Sequence, residues 1–284
     1  MKVDPRAALI VGISAVSTAS ILIRLSSSPP LVIAGYRMLF SSMIMGLLGA
    51  NGIDDLRRIN GKEILLLLIS GASLGAHFGT WTASLFYTSI AASTVIVDSS
   101  PIFVVMISWI FLREKINMRE AFGIAISILG AIIIALGHAE LKMNLYGDFL
   151  ALLGAIFLAI YLVIGRSLRR KLGLAPYTFS VYGVAAAVLL SSAFISGNSL
   201  AVSPKELLIF VLLALGPSCL GHNSYNYALK YMKASVVSAS ILGEPVGASL
   251  LGALLLGEVP SMSTIIGGGV VIIGVYLTVF GRNE

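Results

Sequence analysis

Five ionisable side chains stand inside long apolar stretches of this sequence: Arg37, His77, Asp98, His222 and Glu244. An ionisable group at membrane depth costs about 2.5–3.5 kcal/mol to insert, so each is a functional candidate by default. A guanidinium at position 37 suits a carboxylate. Carboxylates at 98 and 244 suit an ammonium or a proton. Asp98 and Glu244 each lie just before an intramembrane proline, Pro101 and Pro245. A proline frees a carbonyl one turn back, here at Val97 and Ile241, and so breaks its helix. Broken helices are tolerated at depth only where protein or a water-filled cavity satisfies the freed groups. His77 and Trp81 are spaced i,i+4, on one helical face. Ser218, His222, Tyr225 and Asn226 form a second polar and aromatic face after Pro217. Tyr36, beside Arg37, and Tyr161 complete the expected substrate-binding set. Depth suggests one pairing: Arg37 and Asp98 both lie roughly 10 Å below the same membrane boundary, counted at the helical rise per residue.

These residues need apolar elements to hold them, and composition supplies little else. Of 284 residues, 57% are hydrophobic and 11% charged, against about 25% charged in an average soluble domain. Mean hydropathy is +0.97. A soluble enzyme, a disulfide scaffold and a disordered chain are all excluded. A single cysteine, Cys219, permits neither an intrachain disulfide nor a cysteine metal site. A crossing helix takes about 20 apolar residues. Ten such spans are expected, at 7–24, 31–50, 63–87, 91–112, 119–137, 147–165, 176–196, 204–229, 234–256 and 260–280. The first is read as a retained helix, because no Ala-x-Ala site follows it. With the N-terminus placed in the cytoplasm, 15 of the 19 Lys and Arg residues fall on the cytoplasmic side and two, Lys142 and Lys205, on the other. That bias sets the orientation, with both termini cytoplasmic in a cell (inner) membrane. The basic residues are scattered over short loops, which argues against nucleic acid as a partner.

Sliding the chain by 144 residues aligns Leu85 with Leu229, Tyr87 with Tyr231, Pro101 with Pro245 and Glu114 with Glu258. It also aligns Gly123 with Gly267, Gly130 with Gly274 and Gly137 with Gly281. An intramembrane proline, a span-end glutamate and three glycines share one offset. The chain therefore divides into two five-span repeats, 1–140 and 141–284. Five is odd, so the repeats must lie in the membrane with opposite orientation, a recurrent plan of secondary transporters.

Ser84–Gly137 and Ala228–Gly281 resemble the EamA-type unit of the drug/metabolite transporter superfamily. The first copy carries Tyr87, Ala91-Ala92, Pro101, Leu112-Arg113-Glu114, Gly123 and Gly130. The second carries Tyr231, Glu244-Pro245, Leu256-Gly257-Glu258, Gly267 and Gly274. Pro30 and Arg37 match the second-helix pattern of that unit. The first copy departs from it at Arg113, where glycine is usual, at Asp98-Ser99-Ser100, and in lacking a first-helix tryptophan. The resemblance implies an all-α integral membrane protein of ten helices and carrier activity on small organic solutes.

The functional expectation is a secondary transporter that exports amino acids or similar polar metabolites by alternating access. A small-molecule substrate and the lipid bilayer are the expected partners, with a proton or sodium ion as the candidate for coupling. No cofactor and no metal are expected. The P-loop pattern is absent, as are H-E-x-x-H and G-x-S-x-G, so neither ATP hydrolysis nor a membrane enzyme is indicated. A passive channel, or a lipid or nucleotide-sugar carrier of the same fold, are the alternatives. Glycines at 71, 75 and 79, and at 123/130 and 267/274, are read as helix-packing positions.

Overall fold

A computed structural model describes residues 3–49, 53–88, 90–136, 144–256 and 260–280. Among these, ten helices are long and apolar enough to cross a membrane. They are α1 (Pro5–Ile23), α2 (Pro30–Leu48), α3 (Gly61–Ser84), α4 (Ala92–Leu112) and α5 (Met118–Leu136) in the first copy. The second copy holds α6 (Leu145–Arg169), α7 (Leu174–Ile195), α8 (Pro204–Leu229), α9 (Ala234–Leu254) and α10 (Met262–Phe280). Every expected span is found, with ends shifted by a few residues. Glu258, Gly137 and Gly281, used in the repeat alignment, lie outside the described residues.

The pairing of helices follows the repeat. α5 packs most extensively on α10 and α2 on α7; α3 packs on α6, as α8 packs on α1. Exchanging the copies maps the α5–α10 and α2–α7 pairings onto themselves and the α3–α6 pairing onto α8–α1. The α5–α10 seam shows why. A Cβ on Gly130 would fall 2.7 Å from the Gly267 carbonyl oxygen, and one on Gly274 would fall 2.6 Å from the Gly123 carbonyl oxygen. Gly123 thus faces Gly274 while Gly130 faces Gly267. The sequence numbers run oppositely, so the two helices are antiparallel, and equivalent residues exchange places across the seam as in a two-fold interface. Only glycine lets backbones approach this closely. The Gly71/Gly75 ridge of α3 seats α7 in the same manner, against Val184 and Ala185.

Both proline-marked helices are broken where the sequence indicated. α4 is interrupted between Asp98 and Ser100, and α9 between Ile241 and Glu244. At each break the chain tightens into i→i+3 bonds, Ser99 N to Ile96 O at 3.2 Å and Gly243 N to Ser240 O at 3.0 Å. Two irregularities carried no clear sequence signal. α1 is interrupted between Val16 and Ala19, where Ser17 Oγ donates to its own Ile13 carbonyl and also to the Glu244 carbonyl, at 3.1 Å. In α8, Ala214–His222 is wound as a π-helix around Pro217. The missing proline N–H and its ring clash remove the ordinary register, and the wider winding accommodates both.

The helix ends are tied across the copies by glutamates that also cap their own helices. Asn60 and Glu63 form a reciprocal capping box at the start of α3. Asn117 and Glu120 do the same before α5, and Ser203 caps the α8 start at Glu206. Glu63 reaches Lys171 between α6 and α7. Glu120 holds Lys233 at 2.9 Å, and Glu206 holds Ser26, Ser27 and Ser28 between α1 and α2. Glu114, just past α4, pairs with Arg166 at 2.8 Å and Arg170 at 2.9 Å. The charged ties lie at the end where most lysines and arginines gather, called the basic end below. The serine tie lies at the other end.

Arg113, the departure from the family pattern, caps α4 with φ +54°. That is the left-handed region, where a side chain costs roughly 1–2 kcal/mol and glycine nothing. The structure therefore supplies the reason glycine is usual there.

Candidate functional site

Arg37 projects from α2 toward α3 and α8 and is 2% exposed. Its Nε donates to Ser218 Oγ at 2.8 Å, and Ser218 Oγ donates on to the Leu213 carbonyl five residues back, at 3.2 Å. The π-winding of α8 gives this serine that five-residue bond. The guanidinium carbon stands 4.4 Å from the centre of the Phe78 ring. One hydroxyl and one ring face do not compensate a buried cation. A desolvated cation–π contact contributes about 2 kcal/mol and a charged hydrogen bond about 1.5–3. Burying an ion costs several kcal/mol, repaid only when its remaining hydrogen-bonding groups are also met. Nη2 of Arg37 is buried with no hydrogen-bond partner in the protein.

Arg37 turns to Ser218 and Phe78, and the contact with Asp98 expected from their shared depth is not made. Among the described residues no ion pair joins them, and Asp98 Oδ2 is itself buried without a hydrogen-bond partner. Depth along a helix fixes height but not azimuth. The carboxylate whose field acts most on Arg37 is Glu244, at the start of the second α9 segment. Glu244 also interacts electrostatically with Asp98, and both act on Tyr225. The two acids therefore lie within electrostatic range of one another, and Glu244 within that of Arg37.

Around these charges stands an aromatic wall. His77 and Trp81 stack in parallel planes, 6.1 Å between centroids and 4° apart. Phe78 meets His222 edge-on at 5.3 Å. His222 meets Tyr225 at 6.0 Å and Tyr161 at 6.5 Å. His77 is oriented by its Nδ1–H, which donates to the Gly154 carbonyl of α6 at 2.9 Å. Tyr161 is fixed by Asn226, 2.9 Å from hydroxyl to Oδ1. Tyr182 lies on the same amide at 3.5 Å, and its hydroxyl donates to Asn223 Oδ1 at 2.8 Å.

Nine of the ten expected residues thus share one layer. Tyr36 does not. Its hydroxyl donates to the Leu200 carbonyl at 2.8 Å and its ring stacks on Phe210. One residue from Arg37 is about 100° around the helix, which turns Tyr36 away. The sequence reading missed Phe78, Ser100, Tyr182 and Asn223. Phe78 and Ser100 are direct neighbours in sequence of His77 and of Pro101, which is the signal that pointed to them. Asn223 and Tyr182 are polar groups in apolar spans, a pattern many helix-packing residues share.

Five buried polar atoms in this layer lack a hydrogen-bond partner in the protein: Arg37 Nη2, Trp81 Nε1, Asp98 Oδ2, Ser100 Oγ and Tyr225 Oη. Most buried polar atoms in proteins are satisfied, and at these five the protein itself supplies no partner. Arg37, His77, Asp98, His222 and Tyr225 are each 6% exposed or less, whereas Trp81 and Glu244 are part-exposed. Two hollows lie elsewhere. One, of about 460 Å³, is an apolar groove between α4 and α5 lined by Ile102, Met106, Ile124 and Ile128. The other, of about 400 Å³, opens at the basic end among Arg6, Glu120, Arg166 and Lys233.

Comparison with known proteins agrees with this architecture. The model of the EamA-like transporter family matches twice, over residues 6–136 and 145–280. The chain is 26% identical over 279 residues to the protein named uncharacterized transporter YdfC of Bacillus subtilis (strain 168), covering 97% of this chain and 90% of that one. It is 25% identical over 234 residues to a probable terminal-alkyne amino-acid exporter of Streptantibioticus cattleyicolor, covering 80% and 77%. A solved crystal structure superposes with a TM-score of 0.81 at 16% identity, covering 96% of this chain and 98% of that one. That last likeness concerns the fold alone.

Proposed function

Because the chain belongs to the EamA-like transporter family and is a multi-pass membrane protein, we propose that it is a secondary carrier exporting amino acids or similar small polar metabolites. The basic end faces the cytoplasm in this reading, following the lysine and arginine bias. The two copies rearrange about the layer between the α4 and α9 breaks, opening it to one side and then the other.

One observation carries the reading: a cation and two carboxylates within electrostatic range of one another sit at membrane depth beside buried polar atoms that have no partner in the protein. Arg37 Nη2 and Trp81 Nε1 would take a carboxylate, which accepts from both. Asp98 Oδ2 and Glu244 would take an ammonium. Tyr225 and Ser100 hydroxyls serve either end. The aromatic wall supplies apolar contact for the rest of the solute. The amino-acid class is further supported by the name of the Streptantibioticus relative.

Counterflow in proteoliposomes against a panel of amino acids, sugars and nucleotides tests this. Wild-type protein should exchange at least one amino acid. Arg37→Ala, Asp98→Asn and Glu244→Gln should each abolish or strongly weaken exchange at normal expression. Undiminished exchange in all three would remove the site assignment.

A further inference from the structure

The apolar groove between α4 and α5 takes no part in the central layer. It holds about 460 Å³ and is lined by Ile102 and Met106 of α4, Ile116 of the connection, and Ile124, Ala125 and Ile128 of α5. Ile102 and Met106 are 46% and 55% exposed. At membrane depth that exposure is to hydrocarbon, and an apolar hollow does not hold water. Along α5 the lining runs from Ala121 to Ile128, about 10 Å at the helical rise. That is about two-thirds of one leaflet of a hydrocarbon core roughly 30 Å thick. The groove begins at the basic end, by Ile116, and ends at Ile102, next to Pro101 and the α4 break.

Its mouth is cationic. Arg113, Lys115 and Arg119 are exposed on either side of Ile116, and among the described residues none of the three enters an ion pair. The glutamates of the same stretch do not neutralise them. Glu114 is held by Arg166 and Arg170, and Glu120 by Lys233, all from the second copy. Arg113 also keeps a side chain at φ +54°. Backbone strain of this kind points to a use for the residue that carries it.

An apolar channel topped by unpaired cations matches a molecule with an apolar chain and an anionic head. We propose that the groove seats one acyl chain of an anionic phospholipid of the surrounding bilayer, its phosphate held by Arg113 and Lys115 with Arg119 alongside. A guanidinium offers phosphate two parallel N–H bonds. Each cation at a membrane surface favours anionic lipid about fivefold. Because Ile102 adjoins Pro101, the end of the chain lies against the segment that starts at the α4 break. Lipid seated there is independent of the solute the protein carries and of the way the protein faces.

Native mass spectrometry of the full-length protein, stripped of lipid in mild detergent, reads the binding. Phosphatidylglycerol and phosphatidylcholine with the same acyl chains are offered together, and wild-type protein should retain phosphatidylglycerol in preference. Arg113→Gly/Lys115→Gln should lose the preference, with affinity for phosphatidylglycerol falling about thirtyfold; glycine relieves the strained backbone, so the variant folds. Ala125→Phe should lose it as well, since a ring at this exposed lining position fills the groove while every cation stays in place. Arg58→Gln/Lys62→Gln removes two exposed cations at the start of α3 and should bind as wild type does. Glycerol phosphate at the same concentration should not displace the lipid. Equal retention of both lipids by the wild type overturns the proposal. So does an equal loss in the Arg58/Lys62 variant, which would report surface charge in general. Undiminished binding in Ala125→Phe removes the groove from the account, and displacement by glycerol phosphate makes a free phosphate ester the guest; either overturns the proposal too.

Discussion

Glu206 offers the most direct test of how the copies hold each other. Its carboxylate accepts from Ser26 Oγ, from Ser27 N at 3.0 Å, from Ser27 Oγ at 3.1 Å and from Ser28 Oγ at 2.9 Å. This one side chain of the second copy gathers the whole α1–α2 connection of the first. In Glu206→Gln the acceptor is neutral, and one of its two heteroatoms becomes a donor. Hydrogen bonds to an ionised acceptor contribute about 1.5–3 kcal/mol against about 1 for neutral pairs. Four bonds are weakened or lost. The tie stands at a membrane surface, where water can replace some of them. A net loss of about 2 kcal/mol is expected, which is about thirtyfold in an opening equilibrium. Because the Ser27 amide is itself one of the donors, amide hydrogen exchange reads the opening directly. A peptide spanning Leu25–Leu31 should exchange about thirtyfold faster in the variant, while peptides of α6 and α7 stay unchanged. Exchange unaltered in that peptide would refute the view that Glu206 holds this connection. Acceleration spread evenly over the protein would do the same, since it would report general destabilisation.

Further substitutions probe other links. Glu114→Gln leaves Arg166, a side chain only 10% exposed, without its carboxylate. It should loosen the basic end by about 2 kcal/mol, between an exposed pair and a fully buried one, seen as faster amide exchange around Ala234, whose N–H lies 3.4 Å from Glu114 Oε2. Gly267→Ala would put a Cβ 2.7 Å from the Gly130 carbonyl and 2.8 Å from the Ile134 nitrogen. Backbone cannot yield as a side chain does, so stability should fall by roughly 1–3 kcal/mol, measured as a lowered Tm in detergent. Arg113→Gly relieves a side chain held at φ +54°. It should raise stability by up to about 1 kcal/mol, reduced by the backbone freedom glycine adds to the unfolded chain; a lowered Tm would show that the arginine contributes something its backbone strain does not reveal.

What the sequence made legible is what depends on length, period and residue type. Ten spans follow from runs of apolar residues because a membrane admits few alternatives to a helix of that length. The breaks at Asp98/Ser100 and Ile241/Glu244 follow from Pro101 and Pro245, since a proline's missing donor acts locally. The Gly123/Gly130 and Gly267/Gly274 pairs read as packing positions because only close backbones need them. What stayed hidden depends on rotation about helix axes and on contacts distant in sequence. Arg37 and Asp98 share a height, yet Arg37 turns to Ser218 and Phe78. Tyr36 was grouped with its neighbour and points about 100° away from it, to the Leu200 carbonyl. The π-winding of α8 rotates Ser218 and His222 relative to an ordinary helix, and Gly-Pro-Ser alone does not announce it. The capping glutamates look like local helix starts, and their reach across the copies shows only in three dimensions.

The ties at the two ends differ in kind, and dissolved electrolyte will tell them apart. Lys171, Arg170 and Lys233 grip their glutamates from positions 66%, 54% and 33% exposed. Mobile ions within a Debye length of about 8–10 Å weaken such pairs. The serine cradle of Glu206 joins a carboxylate to hydroxyls and an amide, dipoles that an ionic atmosphere screens far less. Raising the salt in the bathing medium should therefore loosen these three pairs and leave the shielded Glu114–Arg166 pair and the serine cradle nearly as they are. Ionic strength becomes an external handle on one mouth of the protein.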